Sequence, residues 1–181
     1  MNTKQLIAKS TATFALCAAA LMFSPSSFAS EKDTLNAADV KFIKTEAAAG
    51  KAEVKISELA VTKADNADIK MLAGVLVTDH TAVNEQLAAL ATQKGVELSV
   101  VISPAHAQSV QKLEKLSGVE FDKEFLVVII ADHKKCISNF ETASKDAKDA
   151  DLRVWVDKTI PALKSHLEKA EALSMKANSA R

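Results

Sequence analysis

The chain reads as an all-α protein, a ferritin-like four-helix bundle with a long crossover between its second and third long helices. Three observations predict this. Apolar residues recur at steps of three and four along four long segments, short turns join the first segment to the second and the third to the fourth, and residues 95–118 separate the middle pair. Short turns make each pair antiparallel, and the long connection lets the second and third helices run parallel, as in ferritin-like bundles.

The first 29 residues stand apart. Lys4 and Lys9 give a basic start, Ala12 to Phe23 is an apolar run short for a permanent span, and Ser27-Phe28-Ala29 offers small residues at both cleavage-determining positions. We read residues 1–29 as a secretory signal cleaved after Ala29, and residues 30–181 as one periplasmic domain. A lipid anchor at Cys17 does not fit, because Leu16 precedes it where a small residue is needed. Cleavage leaves Cys136 alone, so no internal disulfide forms, and its simplest reading is a small buried apolar residue.

The remaining segment, about 152 residues, is long enough for one substantial core. Without Lys4 and Lys9 it carries 21 basic against 23 acidic residues. No basic patch interleaved with aromatics points to nucleic acid. No further apolar run is long enough for an integral membrane segment, and no series of alternating strands suggests a barrel. A protein partner is not legible.

Asn36 or Thr34 caps a first helix reaching about Lys63, with Asp39 in its first turn. Asp65 or Asn66 caps a second that ends near Lys94, where Gly95 suits a left-handed stop. Val96 to Ile102 is β-prone but has no partner strand, so it is expected to be an extended crossover. Ser103-Pro104 opens a short helix, and Gly118 ends the segment. The third long helix runs from about Val119 to Ala147, and Asp149 caps a fourth reaching about Ala177.

Polar residues interrupt every apolar stripe. The second reads Ile69, Ala73, Leu76, His80, Val83, Leu87, Leu90, the third Leu126, Ile130, His133, Ile137, Phe140, and the fourth Leu152, Val156, Thr159, Leu163, His166, Ala170. The first places Asp39, Glu46 and Glu53 among Leu35, Phe42 and Ile56. At roughly 1.5 Å per residue, Glu46 and Glu53 fall within about 6 Å of the height of His80, and His133 and His166 sit at similar distances from the other turn. A polar ring in a core position needs a partner. Either these groups meet at mid-bundle or each is satisfied separately.

If they meet, imidazole and carboxylate donors suit iron, zinc, copper or manganese. The candidate ligands are His80, His133 and His166, with Glu53 and with Glu46 in reserve. Asp79 and Asp132 each lie about 100° round the helix from the following histidine, which suits a supporting hydrogen bond to a neighbouring helix. A carboxylate di-iron centre does not fit, because it needs a glutamate three residues before each of two histidines, where this chain has Val77 and Leu163. The alternative is a non-metal structural or interaction protein of the envelope, whose buried histidines only fix helix packing. Pro161, one turn before His166, removes a backbone donor and frees the carbonyl of Asp157. His106 reads as an exposed surface residue, Glu141 and Glu168 as solvated, and Trp155 as packed on a neighbouring helix. No phosphate loop, nucleophile elbow or His-Glu-x-x-His is present, so no reaction is assigned.

Glu53 with Glu58-Leu59-Ala60, Asp79-His80-Thr81 with Asn84 and Leu87, Phe121-Asp122, His133 with Phe140-Glu141, and Pro161 with His166-Leu167 together resemble bacterial domain-of-unknown-function family 4142. The resemblance covers nearly all of residues 30–181. It implies a secreted, ferritin-like four-helix protein of the kind often labelled an outer membrane protein, and it singles out Glu53, His80, Asp122, His133 and His166. A metal-binding, stress-associated role is the functional expectation.

Overall fold

The computed structural model describes residues 35–99 and 101–179, so the segment read above as a secretory signal, with Cys17 and Ser27-Phe28-Ala29, lies outside the described residues. Five helices follow in order: α1 (Ala37–Lys63), α2 (Ala67–Gln93), α3 (Pro104–Lys115), α4 (Gly118–Asp146) and α5 (Ala150–Ser179). No strand occurs among the described residues, and Val96 to Ser99 is crossover without regular structure. Within them no helix is long and apolar enough to cross a membrane.

Local chemistry sets the ends. The Asn36 side chain accepts the Asp39 amide at 2.8 Å, and that of Asn66 accepts the Asp68 amide at 2.8 Å, so each satisfies a helix-start donor that has no intrahelical partner. Ser103 caps α3 through the His106 amide and Asp149 caps α5 through the Leu152 amide. Gly95 takes φ 71° as α2 stops, and the Val96 amide reaches back to the Ala91 carbonyl at 2.8 Å. Gly118 takes φ 58°, and opens α4. The left-handed turn there lets the chain swing from α3 into α4, which a side-chain-bearing residue would strain.

Two aspartates lock the helical hairpins together. Asp122 on α4 accepts the amides of Asp65 and Asn66 in the α1/α2 turn, at 3.0 and 2.9 Å. Asp39 on α1 accepts the amides of Lys148 and Asp149 in the α4/α5 turn, at 3.1 and 3.3 Å. Each turn is thus capped by the opposite hairpin, charge-assisted bonds that fix axial register. At the end of the bundle nearer the α4/α5 turn Lys94 closes α2 onto α5 through Asp149, 2.5 Å away. These pairings put the start of α2 beside the start of α4 and the end of α2 beside the start of α5, so α2 and α4 are parallel and their neighbours antiparallel.

Two apolar clusters fill the bundle. One, toward the α1/α2 turn, gathers Ile56, Leu76, Phe121, Phe125 and Ile129 with Val110 and Leu113 of α3. The other, toward the α4/α5 turn, gathers Ile43, Leu87, Phe140, Trp155, Val156 and Leu163. Phe140 is wedged between Phe42 and Trp155, with ring centroids 5.2 and 5.3 Å away. Between the clusters lies a polar layer.

Candidate metal centre

That layer is made by three helices. His80 of α2, His133 of α4 and His166 of α5 each occupy a buried stripe position, with apolar residues one turn above and below. Their ring centroids are 5.4, 5.5 and 5.5 Å apart, a nearly equilateral triangle. One nitrogen from each ring lies within 4.8 Å of the other two.

The outward nitrogens of two rings are held. His133 Nδ1 lies 3.0 Å from the Ile129 carbonyl and 3.5 Å from Glu53 Oε1, and His166 Nε2 lies 2.8 Å from Asp79 Oδ2. A carbonyl can only accept, so Nδ1 of His133 carries its proton, and Nε2 of His166 donates to the Asp79 carboxylate in the same way. With both rings in the neutral form the lone pairs sit on His133 Nε2 and His166 Nδ1, which face each other at 3.4 Å. Two lone pairs do not bond to each other. Two nitrogens bound to one ion at roughly 2.0–2.1 Å are separated by roughly this distance in tetrahedral or trigonal geometry. His80 adds the third nitrogen, and its Nε2 is buried and has no hydrogen-bond partner.

Electrostatics keep His80 and His133 neutral. Burial, reinforced by the neighbouring imidazoles, lowers His80 to a pKa of about 3. Burial and His166 lower His133 to about 4. Neutral imidazole is the ligating form.

The carboxylates take other places. Glu53 reaches His133 at the nitrogen facing away from the triangle, so it supports that ring and does not join the converging group. Burial, and then the charge of Asp132, raise its pKa to about 8. Glu46 is occupied with Asn139 Nδ2 at 2.9 Å and the Cys136 thiol at 3.4 Å, and burial raises its pKa. Among the described residues no fourth His, Cys, Asp or Glu converges with the three histidines. Asp122 sits 11 residues from His133, roughly 16 Å along α4, where it caps the α1/α2 turn. Asp132 faces His106, not a ligand, at 3.6 Å.

Two readings of single residues need correction. His106 is half-buried, because α3 folds back on α1 and α4 and the Ser103 hydroxyl fixes its ring at 3.0 Å. Cys136 is half-buried: it packs on the apolar cluster as expected but also donates its thiol to Glu46, and burial and Glu46 push that thiol up. Glu141 and Glu168 are exposed, the former paired with Lys164 at 2.7 Å.

What sequence reasoning missed is a cavity of about 610 Å³ beside the triangle. His80, His133 and Glu53 form one end of it, Phe140, Trp155 and Leu163 line its apolar part, and Val101, Ser103 and His106 of the crossover also border it. Its one sequence signal is the run Ala47-Ala48-Ala49-Gly50, small side chains where α1 faces the cluster.

The profile of the family described as "Domain of unknown function (DUF4142)" matches residues 24–173, and the chain belongs to that family. No curated protein sequence matches. Among solved structures, a DUF305 fragment from Deinococcus radiodurans superposes with a TM-score of 0.71 at 14% identity, over 79% of this chain and 99% of that one. CopM in its Cu(II)-bound form superposes with a TM-score of 0.66 at 15% identity, over 76% and 95% of the two chains. CopM in an Ag-bound form gives 0.62 at 15% identity, over 75% and 94%. At these identities the likeness is one of fold.

Proposed function

We propose that this DUF4142 protein is an exported metal-binding protein in which His80, His133 and His166 hold one transition-metal ion. The observation that carries this reading is the opposition of two lone-pair nitrogens at 3.4 Å, each ring oriented by a partner on its other nitrogen. Metal-ligating histidines characteristically have such partners, which set tautomer and basicity. Asp79 and Glu53 are the supporting carboxylates. Imidazole donors suit copper, zinc, iron and nickel. Copper is the first ion to test, since the fold neighbour CopM has been crystallised with it. Held in the periplasm, such a centre would sequester excess ion, which is the stress-associated role.

The test is titration of the untagged mature protein with copper, zinc, iron or manganese after chelation, followed by thermal unfolding. A bound ion raises the midpoint in proportion to the logarithm of its free concentration over Kd. His80→Ala, His133→Ala and His166→Ala should each weaken the same ion at least tenfold, while His106→Ala leaves it unchanged. A midpoint that no ion moves, together with an intact or stabilised His80→Leu/His133→Leu/His166→Leu variant, would leave only a polar layer that sets helix packing. Export is checked separately by a mature N-terminus at Ser30 in osmotic-shock fluid.

A further inference from the structure

Three protein ligands and no fourth is the arrangement of metal centres that keep a position for an exchangeable ligand, whereas structural centres close the shell with protein. The three imidazoles come from α2, α4 and α5. The remaining helix, α1, brings only Glu53 near, on the outward nitrogen of His133. The cavity is bordered by Glu53, His80 and His133. Its volume, about 610 Å³, is that of a small-molecule site.

The lining defines what would fit. Val83, Leu87, Leu163 and the Phe140–Trp155 pair make one wall apolar and aromatic. Phe140 lies seven residues beyond His133 on α4, roughly 10 Å along the axis, so a ligand about two rings long reaches from the histidines to the aromatic pair. Glu46, Glu53 and Asp132 also border the cavity, and burial favours the neutral form of the two glutamates, so the apolar and aromatic wall is what selects the ligand. Lys41, Lys44 and Lys135 border it too, as exposed residues.

We propose that the cavity is a binding site for a neutral aromatic nitrogen base, an azole-like ring, whose nitrogen takes the fourth position on the ion held by His80, His133 and His166 while its apolar body packs on Leu87, Phe140, Trp155 and Leu163. This rests on the metal reading above and extends it to a ligand class. The step is a ligand exchange: a bond from the ring nitrogen to the ion forms as the bond from the ion to a solvent water breaks, the water leaves, and no oxidation state changes.

The experiment uses the Cu(II)-loaded mature protein, titrated with 4-phenylimidazole, imidazole and azide while the visible absorption and electron paramagnetic resonance of the ion are followed. Metal loading is measured first, so failure of the metal centre is seen before any probe is added and overturns both readings. With the ion bound, 4-phenylimidazole should perturb the spectra at one equivalent and bind at least tenfold more tightly than imidazole. Ala49→Phe and, independently, Val83→Phe narrow the cavity. In whichever of them folds, Cu(II) uptake should be retained, imidazole should still bind and the advantage of 4-phenylimidazole should vanish. Equal affinity for the two azoles, tighter binding of azide, equal binding of 4-phenylimidazole to the metal-free protein, or loss of the ion to the probe would each overturn the proposal.

Discussion

Toward the α1/α2 turn the bundle is filled by Ile56, Leu76, Leu113, Phe121, Phe125 and Ile129, none with measurable exposure, whereas toward the α4/α5 turn the same four helices enclose the cavity. The histidine layer is the boundary. The difference comes from two local choices in sequence. Helix α3 contributes Val110 and Leu113 to the first half, while α1 presents Ala48, Ala49 and Gly50 to the second. Stability and access are thus separated along one axis, with the polar groups placed where a packed floor meets an open chamber.

The sharpest way to break this comparison is to truncate one large side chain in each half. Phe121→Ala removes a fully buried ring stacked on Phe125 and should cost about 3–5 kcal/mol. Leu163→Ala, at the cavity wall, should cost no more than about 2 kcal/mol, because part of its surroundings is already open. Chemical denaturation of both variants reads the two numbers. Equal losses would mean the halves are equally packed in solution.

The layer itself makes the metal-free protein sensitive to pH from both sides. His80 and His133 have folded pKa values of about 3 and about 4, below the ordinary 6.5, so the stability they allow above pH 6.5 is lost as pH falls toward those values. Glu53 is raised from 4.5 to about 8, so its contribution is complete below pH 4.5 and is lost as pH rises through 8. The melting temperature of chelated protein should therefore peak at roughly pH 6–7, with changes on the order of a few kcal/mol on each flank. Glu53→Gln should flatten the alkaline flank and leave the acid one. A wild-type profile flat from pH 5 to 9 would contradict the burial of a lone carboxyl in the layer.

Much of this was legible from residues. Asn36, Asn66, Ser103 and Asp149 cap their own helices, an interaction spanning three residues, so local sequence reveals it. Loop lengths then set which helices are parallel, and axial counting placed His80, His133 and His166 at one level. Contacts across long separations were not legible. Asp122 and Asp39 look like ordinary first-turn acids, yet they cap the opposite hairpin, 57 and 110 residues away. Glu53 and Glu46 have the right height, but height does not say on which side of an imidazole a carboxylate arrives. The fold of α3 against α1 and α4, which buries half of His106, depends on a connection with no helical period to read.

A smaller effect sharpens the same contrast. Gly74 sits inside α2 among the packed half, and a Cβ there meets nothing within 4 Å, so Gly74→Ala should stabilise by up to about 1 kcal/mol through helix propensity alone. Gly50 borders the cavity, and a Cβ there would overlap the Asn84 side-chain oxygen. Gly50→Ala should therefore show none of that gain. If both variants were equally stabilised in thermal unfolding, the close approach of α1 and α2 at Asn84 would be wrong.

The central claim is that three imidazoles converge on one ion, and a crystal of the copper-loaded mature protein, with anomalous scattering at the metal edge, tests it most directly. The account predicts a single strong site inside the triangle, bound by His80 Nε2, His133 Nε2 and His166 Nδ1 at roughly 2.0–2.1 Å, with Asp79 still holding the outer nitrogen of His166. Anomalous density confined to Glu46 and Cys136, or to the protein surface, with His133 and His166 still facing each other without an ion between them, would contradict it.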